Sequence, residues 1–423
     1  MNFPAVAISL VSLSITSRTG SAFRSAPASI CPRSHGTRIN RLRHFRSAST
    51  LPLRQGDDRT TMEPPSRGSI YWNREDGKSS GGHASFHNGP IVKEARIFAL
   101  CDPNDANNEP LCSGPLPDGC TLLGVGSSLA DFLREDGSIS GREPNVIFVS
   151  HPRSRETLLE LLDEFPSVEW IHTRSAGVDH IMSDGLSRST VHLTNAKGMF
   201  SSTLAEYCMM ACSYFAKDLP RLMRQKNDVD WTQYPISELR GATLGIVGYG
   251  DIGRACARLA KAYGMVVLGL KRTSSSSSAD PYCDRVYGAG GLHEMLSKSD
   301  YVLVSAPLTE QTRGLISKEA LSNCKPSAVL INVGRGPIVD EGALVEALTN
   351  GTIGGAGLDV TTVEPLPRKS PLWKLDNVLL SPHNMDMTRT FMRESTEFFV
   401  NENLPRFVRG KTLLNPVDKS VGY

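Results

Sequence analysis

Leu244-Gly245-Ile246-Val247-Gly248-Tyr249-Gly250-Asp251-Ile252-Gly253 is the stretch that decides the fold of this chain. Leu244 to Val247 is an apolar run of strand type, and Arg254 to Tyr263 continues with helical spacing. Between them stands G-x-G-x-x-G. Gly248 permits a tight turn, Gly250 lets backbone approach a pyrophosphate, and Gly253 lets the helix pack closely on the strand. Asp251 and Ile252 stand between the last two glycines as candidate cofactor contacts, and the N-terminus of the following helix offers N–H groups and a partial positive charge to phosphate. The glycine pattern alone is common. The strand before it and the helix after it make it a dinucleotide-binding fingerprint.

Outward from this stretch the pattern repeats. Strands are predicted at Val266 to Leu270, Tyr301 to Ser305, Ala328 to Asn332, Gly355 to Leu358 and Val378 to Leu380, mostly with helices between them. This is the sequence of a Rossmann-type, doubly wound parallel α/β domain. Upstream, strands are predicted at Ala95 to Leu100, Thr121 to Val125, Asn145 to Val149 and Val168 to His172, with a helix over Glu156 to Phe165. That predicts a smaller, flavodoxin-like α/β domain. One long helix, Ser201 to Met223, bridges the two, and Pro220 kinks or ends it. A final helix, Arg389 to Val408, is expected to return to the first domain. The expected layout is a substrate-binding domain over 93–198, a cofactor domain over 199–383, and a returning C-terminal helix within 384–423.

The end of the second cofactor-domain strand selects between dinucleotides. NAD enzymes place Asp or Glu there for the adenine ribose. Here Lys271, Arg272 and Thr273 follow Leu270. Two cations attract a 2′-phosphate, and Arg grips it bidentately. NADP(H) is therefore expected, with NAD(H) as the alternative in which the two cations form a solvated loop.

Three ordered motifs follow: Leu330-Ile331-Asn332-Val333-Gly334-Arg335-Gly336-Pro337-Ile338-Val339-Asp340, then Gly357-Leu358-Asp359-Val360-Thr361-Thr362-Val363-Glu364-Pro365, then Ser381-Pro382-His383. With the fingerprint they make residues 95 to 415 resemble the D-isomer-specific 2-hydroxyacid dehydrogenases. The resemblance implies a catalytic trio of Arg335, Glu364 and His383. Reducing a 2-oxo acid needs a hydride on the carbonyl carbon and a proton on its oxygen. His is suited to donate that proton near neutral pH, a carboxylate such as Glu364 orients the imidazole, and Arg335 binds the substrate carboxylate and polarises the carbonyl. The resemblance further implies that Ser175, Ala176 and Gly177 receive the substrate carboxylate on backbone N–H groups. It implies that Ala306, Pro307 and Thr312, with Val333, Gly334 and Asp359, lie along the cofactor. It also implies a homodimer formed through the cofactor domain. After His383 the family usually has small residues. Asn384-Met385-Asp386-Met387 stand here and change the wall beside the proton donor.

The expected function is NAD(P)H-dependent reduction of a small 2-oxo acid of the glyoxylate or hydroxypyruvate type. Two alternatives stay open: an NAD-linked D-2-hydroxyacid or 3-phosphoglycerate dehydrogenase, and a dinucleotide-sensing binding protein of the corepressor kind. Formate dehydrogenase relatives typically carry Gln where Glu364 stands.

Composition bounds the rest. A net charge of +2 gives no field that would argue for nucleic acid. No apolar run reaches the roughly 20 residues of a spanning helix. Nine Cys show neither a CxxC pair nor zinc spacing, so no metal site is expected. Cys208, Cys212 and Cys256 read as core thiols, and Cys112 and Cys120 flank a loop that a disulfide would close. Residues 1–92 read as a targeting leader and linker. Phe3 to Ile15 suits a signal h-region, Gly20-Ser21-Ala22-Phe23 resembles the junction of bipartite plastid leaders, and eight Arg between Arg24 and Arg59 face only Asp57 and Asp58. A plastid is expected, with the mitochondrion as the alternative.

Overall fold

The structure, a computed structural model, describes residues 89–133, 143–150, 154–272, 280–420 and 422. Residues 1–88 of the expected leader, and Thr273 of the expected phosphate clamp, lie outside the described residues. Two sheets are seen. The first contains β1 (Ala95–Leu100), β2 (Cys120–Gly126), β3 (Val146–Val149), β4 (Trp170–Thr173) and β5 (His192–Asn195) in the order β2-β1-β3-β4-β5. The second contains β6 (Thr243–Val247), β7 (Val266–Leu270), β8 (Arg285–Tyr287), β9 (Tyr301–Val304), β10 (Val329–Asn332), β11 (Gly355–Leu358) and β12 (Val378–Leu380). Its order is β12-β11-β10-β9-β6-β7-β8. All pairings between these strands are parallel. The first order is flavodoxin-like and the second Rossmann-like, and both place ligand crevices beyond the carboxyl ends of the strands.

Side chains alternate across each strand, and both faces are covered, so the strands read as near-continuous apolar runs. On β1, Ile97 and Ala99 face Phe399, Leu404 and Phe407 of the C-terminal segment, while Phe98 and Leu100 face Leu158 and Leu161 of the Arg155–Glu164 helix. On β6, Leu244 and Ile246 pack on the Ser201–Ala216 and Asp251–Ala262 helices, while Val247 joins the opposite face. Fully burying a side chain of this size contributes about 1.5–3 kcal/mol. The C-terminal segment is therefore structural cover for one face of the first sheet. Among the described residues, no helix is long and apolar enough to cross a membrane.

Several expectations need correction. The long helix is two helices, Ser201–Ala216 and Leu219–Asn227. The break falls before Pro220, at Asp218, whose φ is +48° and whose carboxylate accepts from the Arg221 N–H. Pro220 lies in the first turn of the second helix, where its missing N–H costs nothing. The fingerprint helix begins at Asp251, inside the glycine motif. The final helix starts at Phe391 and widens to a π-turn over Phe399–Asn403 before closing at Leu404–Val408. Pro405 cannot donate the N–H an α-helix would send back to residue 401. The short edge strands β5 and β8 had no clear signal. Cys208, Cys212 and Cys256 are free and fully buried between the two packed helices. Cys112 and Cys120 are both free.

Candidate active site

The expected site residues gather where the parallel strands end. Gly248 follows β6, Lys271 follows β7, Ala306 follows β9, Val333 to Arg335 follow β10, Asp359 follows β11 and His383 follows β12. Ser175 to Gly177 follow β4 of the other sheet.

The glycines of the fingerprint differ in what surrounds them. Gly248 has φ +93°, and a Cβ there would stand 2.5 Å from the Ala306 backbone. A Cβ on Gly253 would stand 2.8 Å from the Gly248 carbonyl and from the Ile246 side chain. These two are required by the protein's own packing. Gly250 meets nothing within 4 Å. The open ground in front of it, with the N–H groups of the helix opened by Asp251, Ile252 and Gly253, fits a pyrophosphate. A Cβ on Gly334 would stand 2.8 Å from the Ala306 carbonyl, and the Val333 N–H donates to Val304 O at 3.0 Å, so the loops after β9 and β10 adjoin the glycine turn. Thr312 Oγ1 donates to Pro307 O at 2.6 Å and closes the loop containing Ala306. Lys271 and Arg272 are both exposed after β7, and Lys271 Nζ lies 5.2 Å from the Tyr249 ring centroid. Asp251 pairs with Lys197 at 3.2 Å, a contact without a sequence signal.

His383 and Glu364 are in contact: Nδ1 lies 2.7 Å from Oε2. Both side chains are a little over a third exposed. Glu364 is aimed by the Thr361 N–H, which donates to Oε1 at 3.0 Å. His383 has φ +51°, a costly conformation for a residue with a side chain. Asp359 enforces it. Its carbonyl accepts from the His383 N–H at 2.9 Å, and its buried carboxylate accepts from the Asn384 N–H at 3.1 Å and the Ser381 hydroxyl at 2.8 Å. The resemblance implies a place for Asp359 beside the cofactor; the structure adds that it fastens the histidine loop.

Arg335 reaches across to the first sheet. Its Nε and Nη2 lie 3.3 and 3.2 Å from Asp179 Oδ1, and its Nη1 donates to Gly334 O at 2.9 Å. A Cβ on Gly177 would collide with Nη2, so a side chain there would displace the guanidinium from this position. The turn under it is polarised. Ser175 O accepts from the Ala196 N–H at 3.1 Å, Ala176 O from Asn195 Nδ2 at 2.6 Å, and Gly177 O from the Ser175 hydroxyl at 2.9 Å. Among the described residues, no acceptor meets the N–H groups of Ala176 and Gly177. Two adjacent uncommitted N–H groups are suited to receive an anion. Asp179 was missed as a partner of Arg335, although it stands two residues beyond Gly177.

Comparison with known proteins shows the family. Residues 209–384 match the family model for the D-isomer specific 2-hydroxyacid dehydrogenase NAD-binding domain. A glyoxylate reductase from Pyrococcus furiosus is 33% identical over 273 residues, covering 62% of this chain and 79% of that protein. The crystal structure of a D-isomer specific 2-hydroxyacid dehydrogenase from Xanthobacter autotrophicus, in complex with NADPH and MES, is 30% identical. It superposes with a TM-score of 0.63, covering 78% of this chain and all of that one. An NADPH-dependent glyoxylate/hydroxypyruvate reductase from Sinorhizobium meliloti, bound to NADP and sulfate, is 25% identical with a TM-score of 0.66 over 78% of this chain and all of its own. With the fingerprint, the three motifs and these likenesses together, the chain belongs to the D-isomer specific 2-hydroxyacid dehydrogenase family and is an NAD(P)-dependent oxidoreductase.

Proposed function

We propose that this protein uses NADPH to reduce a small 2-oxo acid of the glyoxylate or hydroxypyruvate type to the D-2-hydroxy acid. The observation that carries the reading is the pair of uncommitted N–H groups at Ala176 and Gly177 beneath the guanidinium of Arg335, which follows β10 of the sheet whose carboxyl edge also carries the His383–Glu364 pair. These N–H groups and Arg335 hold the substrate carboxylate, and Arg335 polarises the adjacent carbonyl. Glu364 on Nδ1 turns Nε2 of His383 toward the substrate, and from Nε2 the proton passes to the carbonyl oxygen. A bound reduced nicotinamide supplies the hydride. Gly250 and the helix N-terminus opened by Asp251 would hold its pyrophosphate, and Lys271 and Arg272 would hold the adenine-ribose phosphate. The names of the similar proteins, two of them reductases of glyoxylate, support this substrate class.

The test follows NADPH and NADH absorbance with purified protein against glyoxylate, hydroxypyruvate and pyruvate. Turnover with NADPH preference is expected. Tight dinucleotide binding with no turnover of any 2-oxo acid would replace this reading with that of a dinucleotide-sensing binding protein.

Two further parts of the reading concern assembly and location. Trp231, 96% exposed, and Val229, 92% exposed, stand on the segment after the Leu219–Asn227 helix and support a homodimer through the cofactor domain. Light scattering of the wild type and Trp231→Asp tests it, with a dimer and a monomer expected. The leader pattern within residues 1–92 supports import into a plastid, tested by whether that segment carries a fluorescent reporter there.

A further inference from the structure

The peptide joining Thr361 to Thr362 is clamped from two sides, and both sides belong to the segment that follows Arg335. A Cβ on Gly336 would collide with the Thr361 carbonyl and crowd the Thr362 nitrogen. Glu341, further along the same segment, accepts from the Thr362 N–H on Oε2 at 2.8 Å. Its backbone is fixed, because it is the first residue of the Glu341–Thr349 helix. An acid in that place is ordinarily accounted for by the helix dipole alone. Here Asp340 caps the helix, accepting from the Ala343 N–H at 3.0 Å, and the Glu341 carboxylate reaches out to another loop. The N–H just upstream, that of Thr361, donates to Oε1 of Glu364 at 3.0 Å, and Oε2 of Glu364 lies 2.7 Å from Nδ1 of His383. Two successive N–H groups thus end on two carboxylates, and only one of these belongs to the expected trio.

We propose that Glu341 is a positioning residue for proton transfer: it holds the Thr361–Thr362 peptide so that the Thr361 N–H keeps Glu364 on Nδ1 of His383. This rests on the reading of His383 and Glu364 as the proton-donating pair of a 2-oxo acid reductase. A peptide group is planar, so once this one is fixed only the two dihedrals of Thr361 direct the N–H before it. A hydrogen bond from N–H to a carboxylate is charge-assisted and about twice as strong as a neutral one. Without it the peptide is free to turn toward water, Glu364 loses its aim, and the imidazole is no longer held in one direction for the transfer. The same clamp keeps the turn of Arg335 against the turn of Glu364, since Gly336 follows Arg335 directly.

The experiment measures kcat with NADPH for glyoxylate and hydroxypyruvate, together with Tm, in the wild type, Glu341→Ala, Glu341→Gln, Glu364→Ala and the double variant Glu341→Ala with Glu364→Ala. Glu341→Ala should lower kcat by about fivefold, and Glu341→Gln, whose amide oxygen still accepts, should recover most of that loss. In the Glu364→Ala background, Glu341→Ala should lower kcat no further, because its effect passes through Glu364. An acid that serves only its own helix would lower Tm and leave kcat alone, or would lower kcat equally in both backgrounds. Either result overturns the proposal, as does a Glu341→Gln variant as slow as Glu341→Ala. If Glu341→Ala does not fold, Glu341→Asp, one methylene too short to reach the Thr362 N–H, makes the same comparison. A wild type that turns over no 2-oxo acid sinks the reductase reading and this role together, whereas failure of the role alone leaves wild-type turnover intact.

Discussion

His172 sits in the middle of β4 in the first sheet, and His383 sits just past the end of β12 in the second. His172 is fully buried, with its ring 5.1 Å from that of Phe399 and 6.2 Å from that of Phe148. Its Nδ1 lies 2.7 Å from the Thr194 hydroxyl, and its Nε2 meets no partner among the described residues. Burial pushes this imidazole down to about 3. His383 is partly exposed and keeps a carboxylate on Nδ1. The same residue type is packing within a parallel strand and chemistry beyond its carboxyl end, where backbone leaves the sheet and side chains from neighbouring strands converge.

The comparison can be broken most sharply at His383. His383→Ala should lower kcat by about 10²–10⁴-fold, the usual contribution of a positioned acid, while thermal unfolding stays close to wild type. Loss of the fold instead would mean that the half-exposed ring is structural. The exposed cations come next. With Lys271→Asp and Arg272→Asp combined, the ratio of kcat/KM for NADPH over NADH should fall by about a hundredfold, because two attractive charges become repulsive toward the 2′-phosphate. An unchanged ratio would place the phosphate elsewhere.

His172 sharpens the contrast through stability. The folded chain keeps the ring neutral, whereas the unfolded chain takes up a proton near 6.5. The contribution is therefore intact above pH 6.5 and is lost as pH falls toward 3. Between pH 7 and pH 5 the loss is about 2 kcal/mol. Urea midpoints at the two pH values should show it, and His172→Leu should shrink the difference without lowering kcat. The smallest effect expected is at Glu364: Glu364→Gln should reduce kcat by about tenfold, since the amide still meets the ring but no longer pairs with its charged form. A loss as large as that of His383→Ala would make Glu364 an equal partner in proton transfer.

Much of the site was legible because its residues follow strands in short motifs. Gly248, Gly253, Arg335, Glu364 and His383 each stand in a stretch whose local pattern says strand, then turn. Asp179 and Lys197 were not legible as site residues. Each meets its neighbour across a long chain separation, Asp179 with Arg335 and Lys197 with Asp251, and no local period records such a meeting. The breaks were also hidden: Asp218 interrupts a continuous helical pattern through one left-handed residue, and the π-turn at Phe399 leaves no mark in hydrophobic spacing.

By itself the sequence determined the two α/β units, the fingerprint and the order of the catalytic motifs, because strand and helix periodicity and turn glycines are local properties. Tertiary structure alone decided which carbonyls in the Ser175–Gly177 turn are occupied, that Arg335 crosses to it, and that Asp359 holds His383 in a left-handed conformation. These are properties of juxtaposition: they arise only when packed layers bring distant loops to one edge, and burial then sets what each polar group can do.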